Sequence, residues 1–190
     1  MPGKDLPEMV AWLKANPDKA SAGTFAVGIR LVTEVFQKET GTHFGIIPYR
    51  GSAPALQDLL AGQIDLSFDG ALQLSHVRAG NIKAYAITSD ARSALAPDLP
   101  TFREMGLPSV SYVTWWGLFA PKGTPSGIIA RLNRAAVEAM ADTTVRSRLA
   151  DLGFEAIPRE SQTPEALAVL QKADAEKWLP LIKEFGIKAE

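Results

Sequence analysis

The first half of the chain alternates short apolar segments with amphipathic helical segments, and this alternation constrains the fold more than any other feature. The strand-type segments are "ASAGT", "HFGIIP", "QIDLSF" and "IKAYAIT". Between the first two, apolar residues at 29, 32, 35 and 36 form one helical stripe. Short connections between alternating strands and helices are typical of a parallel sheet covered by helices, so we predict an α/β fold.

Capping and stop signals set the limits of the early helices. Asp5 predicts the start of the first helix and Asn16-Pro17 its end. Gly41 is placed to end the second helix. Ser52 is predicted to cap the third helix, and Gly62 is predicted to end it. The inner face of this helix would carry Leu56, Leu59 and Leu60. Residues Ala71 to Gly80 predict a fourth, short helix.

The second half of the chain has a different organisation. The stretch "SDARSALAPDLPTFREMGLPS" predicts a surface excursion with one helical turn, and "VSYVTWWGLFAP" predicts a long strand able to cross between two lobes. We then expect a helix carrying Ile128 and Leu132, a shorter helix from Asp142, a strand at "FEAIP" and a helix from Thr163 that Pro180 kinks.

Composition and motifs argue against several function classes. The formal net charge of −1 without a basic run argues against a nucleic-acid binder. There are no cysteines, and the two histidines, His43 and His76, have no partner at metal-ligand spacing. "GTFAVG" has P-loop glycine spacing, but Ile29-Arg30 replace the required Lys-Ser/Thr. Without a G-x-S-x-G motif or a nucleophile–base pair, we predict no enzyme, catalytic residue, metal or cofactor.

Three loops that follow strands and precede helices predict a binding site. The carboxyl ends of parallel strands meet at one edge of a sheet, where ligands of open α/β folds bind. Each helix start offers unpaired N–H groups and the positive end of the helix dipole, which suit an anion. The candidate residues are Thr24 and Phe25 after the first strand, Tyr49, Gly51, Ser52 and Ala53 after the second, and Asp69 and Gly70 after the third.

Ser52 also has an explanation without a ligand, and Asp69 has to be weighed against the nearby Asp65. A serine at this position can simply cap the helix that follows it. Because three such loops converge at one edge of the sheet, we regard an anion-binding role for Ser52 as an equal alternative to the capping role. Asp65 and Asp69 lie on the same face of a strand because their separation is even. We expect Asp65 to be solvated and Asp69, at the strand end, to be the functional one.

Longer motifs carry a resemblance to a known family. "PYRGSAPALQDLLAGQIDLSFDG", "IKAYAITSDARSALAPDLPTFREMGLP", "WWGLFAPKGTP" and "LNRAAVEAMAD", in this order, resemble the Bug-type periplasmic solute-binding proteins of tripartite tricarboxylate transporters. The resemblance covers essentially the whole chain. It implies a two-lobed type II periplasmic binding fold that closes over a small organic acid, a periplasmic location and membrane components of the transporter as partners.

The resemblance also implies a division of the chain and a set of site residues. Residues 4–111 would form one complete lobe, lobe two, and residues 112–190 the interlobe strand with the C-terminal half of lobe one. Thr24, Tyr49, Gly51, Ser52, Ala53, Asp69 and Gly70 would lie at the cleft rim, with Trp115 near the interlobe crossing. A carboxylate would be held by main-chain N–H groups, small hydroxyls and water. Ile29-Arg30 depart from the family's Ser-His pair.

The family pattern begins with a signal peptide and the first half of lobe one, which this sequence does not contain. If Met1 is the natural start, the expected location is cytoplasmic. We expect weakened ligand binding by the single complete lobe and a homodimer formed through exposed elements of lobe one. The leading function is therefore a solute-binding protein for a carboxylate, and the alternative is an interaction or sensing module derived from one that no longer binds ligand tightly.

Overall fold

The computed structural model describes residues 2–187. Its seven α-helices and three strands follow the order predicted from the sequence. They are α1 (Leu6–Ala15), β1 (Ser21–Thr24), α2 (Val27–Thr40), β2 (Gly45–Pro48), α3 (Ser52–Leu60), β3 (Leu66–Ser67), α4 (Leu74–Arg78), α5 (Ser126–Ala141), α6 (Thr143–Asp151) and α7 (Pro164–Glu184). Single 3₁₀ turns occupy Ala71–Gln73 and Arg159–Ser161.

The sheet is parallel and has the strand order β2-β1-β3. The β1–β2 pair runs from Ser21 opposite Gly45 to Thr24 opposite Pro48, and β3 pairs with β1 at Ala22 and Gly23. This confirms the predicted α/β parallel sheet. Because the chain leaves β1 toward β2 and then returns past β1 to β3, the order reverses between β1 and β3, which is where doubly wound folds bind ligands.

An aromatic cluster lies at the centre of the core. The ring of Phe36 on α2 lies 6.3 Å from that of Phe44, 5.8 Å from Phe68 and 5.9 Å from Phe102. Thr101 and Phe102 belong to the stretch predicted as a surface excursion, yet both are buried. The prediction was wrong at these positions, because polar neighbours in sequence do not prevent a loop from returning apolar side chains to the core.

Most predicted helix limits are confirmed. The Asp5 carboxylate accepts a hydrogen bond from the N–H of Glu8, and Gly41 adopts the left-handed conformation that ends α2. In α3 the buried residue is Ala55, while Leu60 is exposed, so Leu60 was wrongly placed on the inner face. Helix α7 continues through Pro180, and the kink there stays a prediction.

Three predicted strands do not form among the described residues. "IKAYAIT" makes only a single bridge, between Ile87 and Thr101. "VSYVTWWGLFAP" and "FEAIP" contain no strand. "QIDLSF" contributes only the two residues of β3. An apolar extended segment becomes a strand only when a neighbour satisfies its backbone groups, and sequence pattern does not reveal whether a neighbour is present.

The chain forms two compact units. One comprises residues up to Val113 together with those from Ile182 onward, and the other is Thr114–Leu181. The first contains the sheet and all the buried residues; no described residue of the second is buried. The predicted domain boundary between residues 111 and 112 stays a prediction, and residues 188–190 of its second part lie outside the described residues. No helix within 2–187 has the length and apolarity that crossing a membrane requires.

Candidate functional site

The ends of β1 and β2 are joined directly. The N–H of Tyr49, one residue beyond β2, donates to the carbonyl oxygen of Thr24 at 2.7 Å. Thr24 is buried, and Tyr49 is half-buried. The loops that start α2 and α3 therefore leave the sheet side by side, as the parallel arrangement predicts.

A hydrogen-bond network joins the start of α3 to the loop after β3. The hydroxyl of Ser52 donates to Asp69 Oδ2 at 2.6 Å. Gln73 Nε2 donates to the same oxygen at 3.0 Å and to Ser52 Oγ at 3.2 Å. The structure thus brings Ser52 and Asp69 together. Gln73, which the sequence analysis did not select, completes the network; its position four residues after Asp69 at a helix start was the available signal.

The predicted capping role of Ser52 is wrong. Gly51 is the N-cap residue of α3, and Ser52 is the first helical residue, with its hydroxyl committed to Asp69. The N-cap residue of α2 is Ala26. Neither Ala nor Gly has a side-chain acceptor, and neither helix has an acidic residue in its first turn. Both helix starts therefore keep the unpaired N–H groups and positive dipole end that suit an anion.

Two glycines leave the backbone accessible at the edge of the sheet where β1, β2 and β3 end, which we call the rim. A Cβ atom added to Gly51 or to Gly70 would meet no atom within 4 Å. Gly51 has φ 148°, a conformation that side chains rarely adopt, whereas Gly70 has an ordinary φ of −80°. A ligand can approach the main chain closely at both positions.

Tyr49 is oriented by α3. Its hydroxyl donates to Asp58 Oδ2 at 2.8 Å. The hydrogen bond to the Asp58 carboxylate raises the pKa of Tyr49, with desolvation and the negative charge of Asp58 acting in the same direction. The hydrogen bond to Asp58 thus orients the Tyr49 side chain, which precedes the turn at Gly51.

The other predicted residues are placed differently. Phe25 is half-buried and Ala53 is exposed on the first turn of α3. Trp115 lies in the other unit, where its indole N–H donates to Asp174 at 2.6 Å. Asp65 is not a free solvated carboxylate: it accepts from the N–H of Ser21 at 2.9 Å and so ties the start of β1 to the segment before β3.

The histidines show no metal-binding arrangement. His43 Nδ1 lies 2.6 Å from Asp18 Oδ1 on the surface. Within the described part of the chain, no three His, Cys, Asp or Glu side chains form a group that could hold a metal ion. The polar groups at the rim are main-chain N–H groups, a hydroxyl, an amide and a carboxylate, which can hold a small polar molecule by hydrogen bonds.

Comparison with known proteins identifies one family. A family model described as "Tripartite tricarboxylate transporter family receptor" matches residues 1–187. Protein BugT of Bordetella pertussis (strain Tohama I) is 34% identical over 186 residues, which are 96% of this chain and 56% of BugT. The chain thus spans about half the length of the curated relatives it matches.

Solved structures of similar fold agree with this match. The periplasmic binding protein BugD superposes with a TM-score of 0.85 at 33% identity, covering 100% of this chain and 64% of BugD. MatC from Rhodopseudomonas palustris, solved with bound malate, has a TM-score of 0.83 at 34% identity, covering 95% of this chain and 63% of MatC. The predicted family and type II periplasmic binding fold are confirmed.

Proposed function

Because this chain belongs to the tripartite tricarboxylate transporter receptor family, we propose that it binds a small organic carboxylate for delivery to the membrane components of such a transporter. Members of this family are periplasmic solute-binding receptors rather than enzymes. In this proposal the chain performs that role with the part of the family fold that it contains.

One observation carries the proposal. The starts of α2 and α3, neither of which has a side-chain acceptor at its N-cap or an acid in its first turn, follow the adjacent strands β1 and β2 at one edge of the sheet. The open space in front of Gly51 admits a ligand to the N–H groups at the start of α3. The malate bound in MatC is an acid of the size and charge that such a rim suits.

We propose Thr24, Phe25, Tyr49, Gly51, Ser52, Ala53, Asp69 and Gly70 as the residues of this rim; the ligand role of Trp115 stays a prediction. Micromolar affinity requires about 8 kcal/mol, and two or three charge-assisted hydrogen bonds supply roughly 3 to 6 before association entropy is subtracted. We therefore expect this chain to bind its ligand with a dissociation constant in the millimolar range.

The experiment is an NMR titration with a panel of di- and tricarboxylates in the wild type and in Ala53→Asp. An acid at the second position of α3 favours the helix but repels an anionic ligand, so we expect Ala53→Asp to remain folded and to lose the carboxylate-dependent shifts. Thr144→Asp, at the equivalent exposed position of α6, is the matched control and should respond like the wild type.

Two results would count against the proposal. Carboxylate-dependent shifts in Ala53→Asp equal to those of the wild type would remove this rim as the binding site. A wild type that responds to no acid of the panel would favour the alternative, an interaction or sensing module that has lost its ligand. The exposed Trp116, Leu118 and Phe119 of the Thr114–Leu181 unit favour that alternative.

The same exposed side chains support a second part of the proposal, a homodimer. Residues 114–121 carry no charged side chain and form no strand within the described part of the chain, so a second copy can add a strand there. Such pairing about a two-fold axis closes on itself and buries the same surface of both copies.

A further inference from the structure

The carboxylate of Asp69 is exposed at the rim and held in a fixed position. Ser52 Oγ and Gln73 Nε2 donate to Oδ2, and the N–H of Gly70 donates to Oδ1 at 2.7 Å. All three donors are uncharged. Among the residues that the structure describes, no Lys, Arg or His forms an ion pair with Asp69. The negative charge at this edge of the sheet is therefore not neutralised by the protein.

This charge limits which acids the rim can accept. A carboxylate has about four lone-pair positions for hydrogen bonds, and the three donors leave one of them, on Oδ1. A second carboxylate beside Asp69 would be repelled by its charge and would have no hydrogen to donate to that position. A hydroxyl or ammonium group there would donate to it instead, and an ammonium would also neutralise the charge.

We propose that Asp69 selects acids that carry a hydroxyl or ammonium group beside a carboxylate over acids that carry carboxylates alone. This inference rests on the proposed function and names the ligand class for the same site. The ligand carboxylate would bind the free N–H groups at the starts of α2 and α3, and its neighbouring donor would bind Asp69. Repulsion of a competing ligand by a like charge in the site is a recognised source of selectivity.

The test compares three four-carbon acids, succinate, malate and aspartate, which differ in having hydrogen, hydroxyl or ammonium at one carbon. We expect the wild type to bind malate and aspartate at least about tenfold more tightly than succinate, each affinity being measured by NMR titration. In Asp69→Asn, which keeps the size and removes the charge, we expect succinate binding to strengthen and the preference to fall to within about threefold.

Asp98→Asn is the matched control, because Asp98 is an exposed carboxylate outside the rim; it should keep the wild-type preference. Succinate binding to the wild type as tightly as malate and aspartate would overturn the selection by Asp69 while leaving the carboxylate receptor intact. The same would follow if Asp69→Asn kept the tenfold preference. A wild type that binds none of the three acids and no other carboxylate would overturn the proposed function, and this inference with it.

Discussion

Gly23 occupies a position in the sheet where the surrounding side chains leave no room for a Cβ atom. It lies in β1, the central strand, which pairs with β2 on one side and with β3 on the other. A Cβ atom there would come within 2.6 Å of Ile64 Cδ1 and 3.2 Å of Tyr49 Cε2. Since Tyr49 precedes Gly51 and is held by Asp58, the glycine also determines where the turn before α3 can lie.

Gly23→Ala should destabilise the protein by about 1 to 3 kcal/mol, because Ile64 and Tyr49 must move out of a packed site. Urea unfolding followed by circular dichroism would measure the loss. Gly70→Ala is the control: its added methyl group meets no atom within 4 Å and its φ is ordinary, so the free energy of unfolding should change by less than about 0.5 kcal/mol. Equal stability of the two variants would contradict the packing argument.

Helix starts in this protein are of two kinds. Helix α6 begins after Asp142, whose carboxylate accepts from the N–H groups of Thr144 and Val145 at 2.8 and 3.1 Å. Helices α2 and α3 begin after Ala26 and Gly51, which offer no acceptor. A side-chain cap is worth about 1 kcal/mol relative to an Ala such as Ala26 and a few tenths relative to a Gly such as Gly51, so its omission at these two helix starts is a loss of stability that a bound anion would compensate.

Asp142→Ala should lower the stability of α6 by about 1 kcal/mol, since two N–H groups of its first turn lose their acceptor. Hydrogen exchange of the α6 amides would measure the effect within the helix. Asp151→Ala removes the same charge from the last residue of α6, where an acid is unfavourable to the helix dipole, and should leave the stability equal or slightly higher. If both substitutions accelerate exchange to the same extent, charge alone and not capping explains the result.

At the scale of the whole molecule, the two units differ in how much apolar surface they bury. The sheet-containing unit has a core that includes Leu13, Leu31 and Phe36. In the Thr114–Leu181 unit, by contrast, Trp116 is 77% exposed and Leu118 83% exposed. A tryptophan and a leucine exposed to this extent two residues apart in the sequence are typical of an interaction surface.

We expect the protein to have twice the mass of one chain in size-exclusion chromatography with light scattering. Leu118→Lys should convert it to a monomer, because a charge on the added strand opposes pairing with its own copy. Leu179→Lys, which places the same charge at another exposed leucine, should leave the dimer intact. A wild-type monomer at the highest attainable concentration would contradict the homodimer.

The sequence by itself determined the local structure and the family. Apolar periodicity placed α2, and short-range capping placed the starts of α1 and α6, because these features depend on residues within one or two turns of each other. Alternation of strands and helices determined the parallel sheet. It also predicted that the loops after β1 and β2 would leave the sheet together.

Only the tertiary structure decided which partners distant residues find. Ser52 donates to Asp69, 17 positions away, instead of capping its own helix. Asp65 accepts from Ser21, 44 positions away, and Phe102 packs on Phe36. The expected strands at "VSYVTWWGLFAP" and "FEAIP" are absent from the described residues because a strand requires a neighbour that satisfies its backbone, and such a neighbour is a property of the folded molecule rather than of the segment.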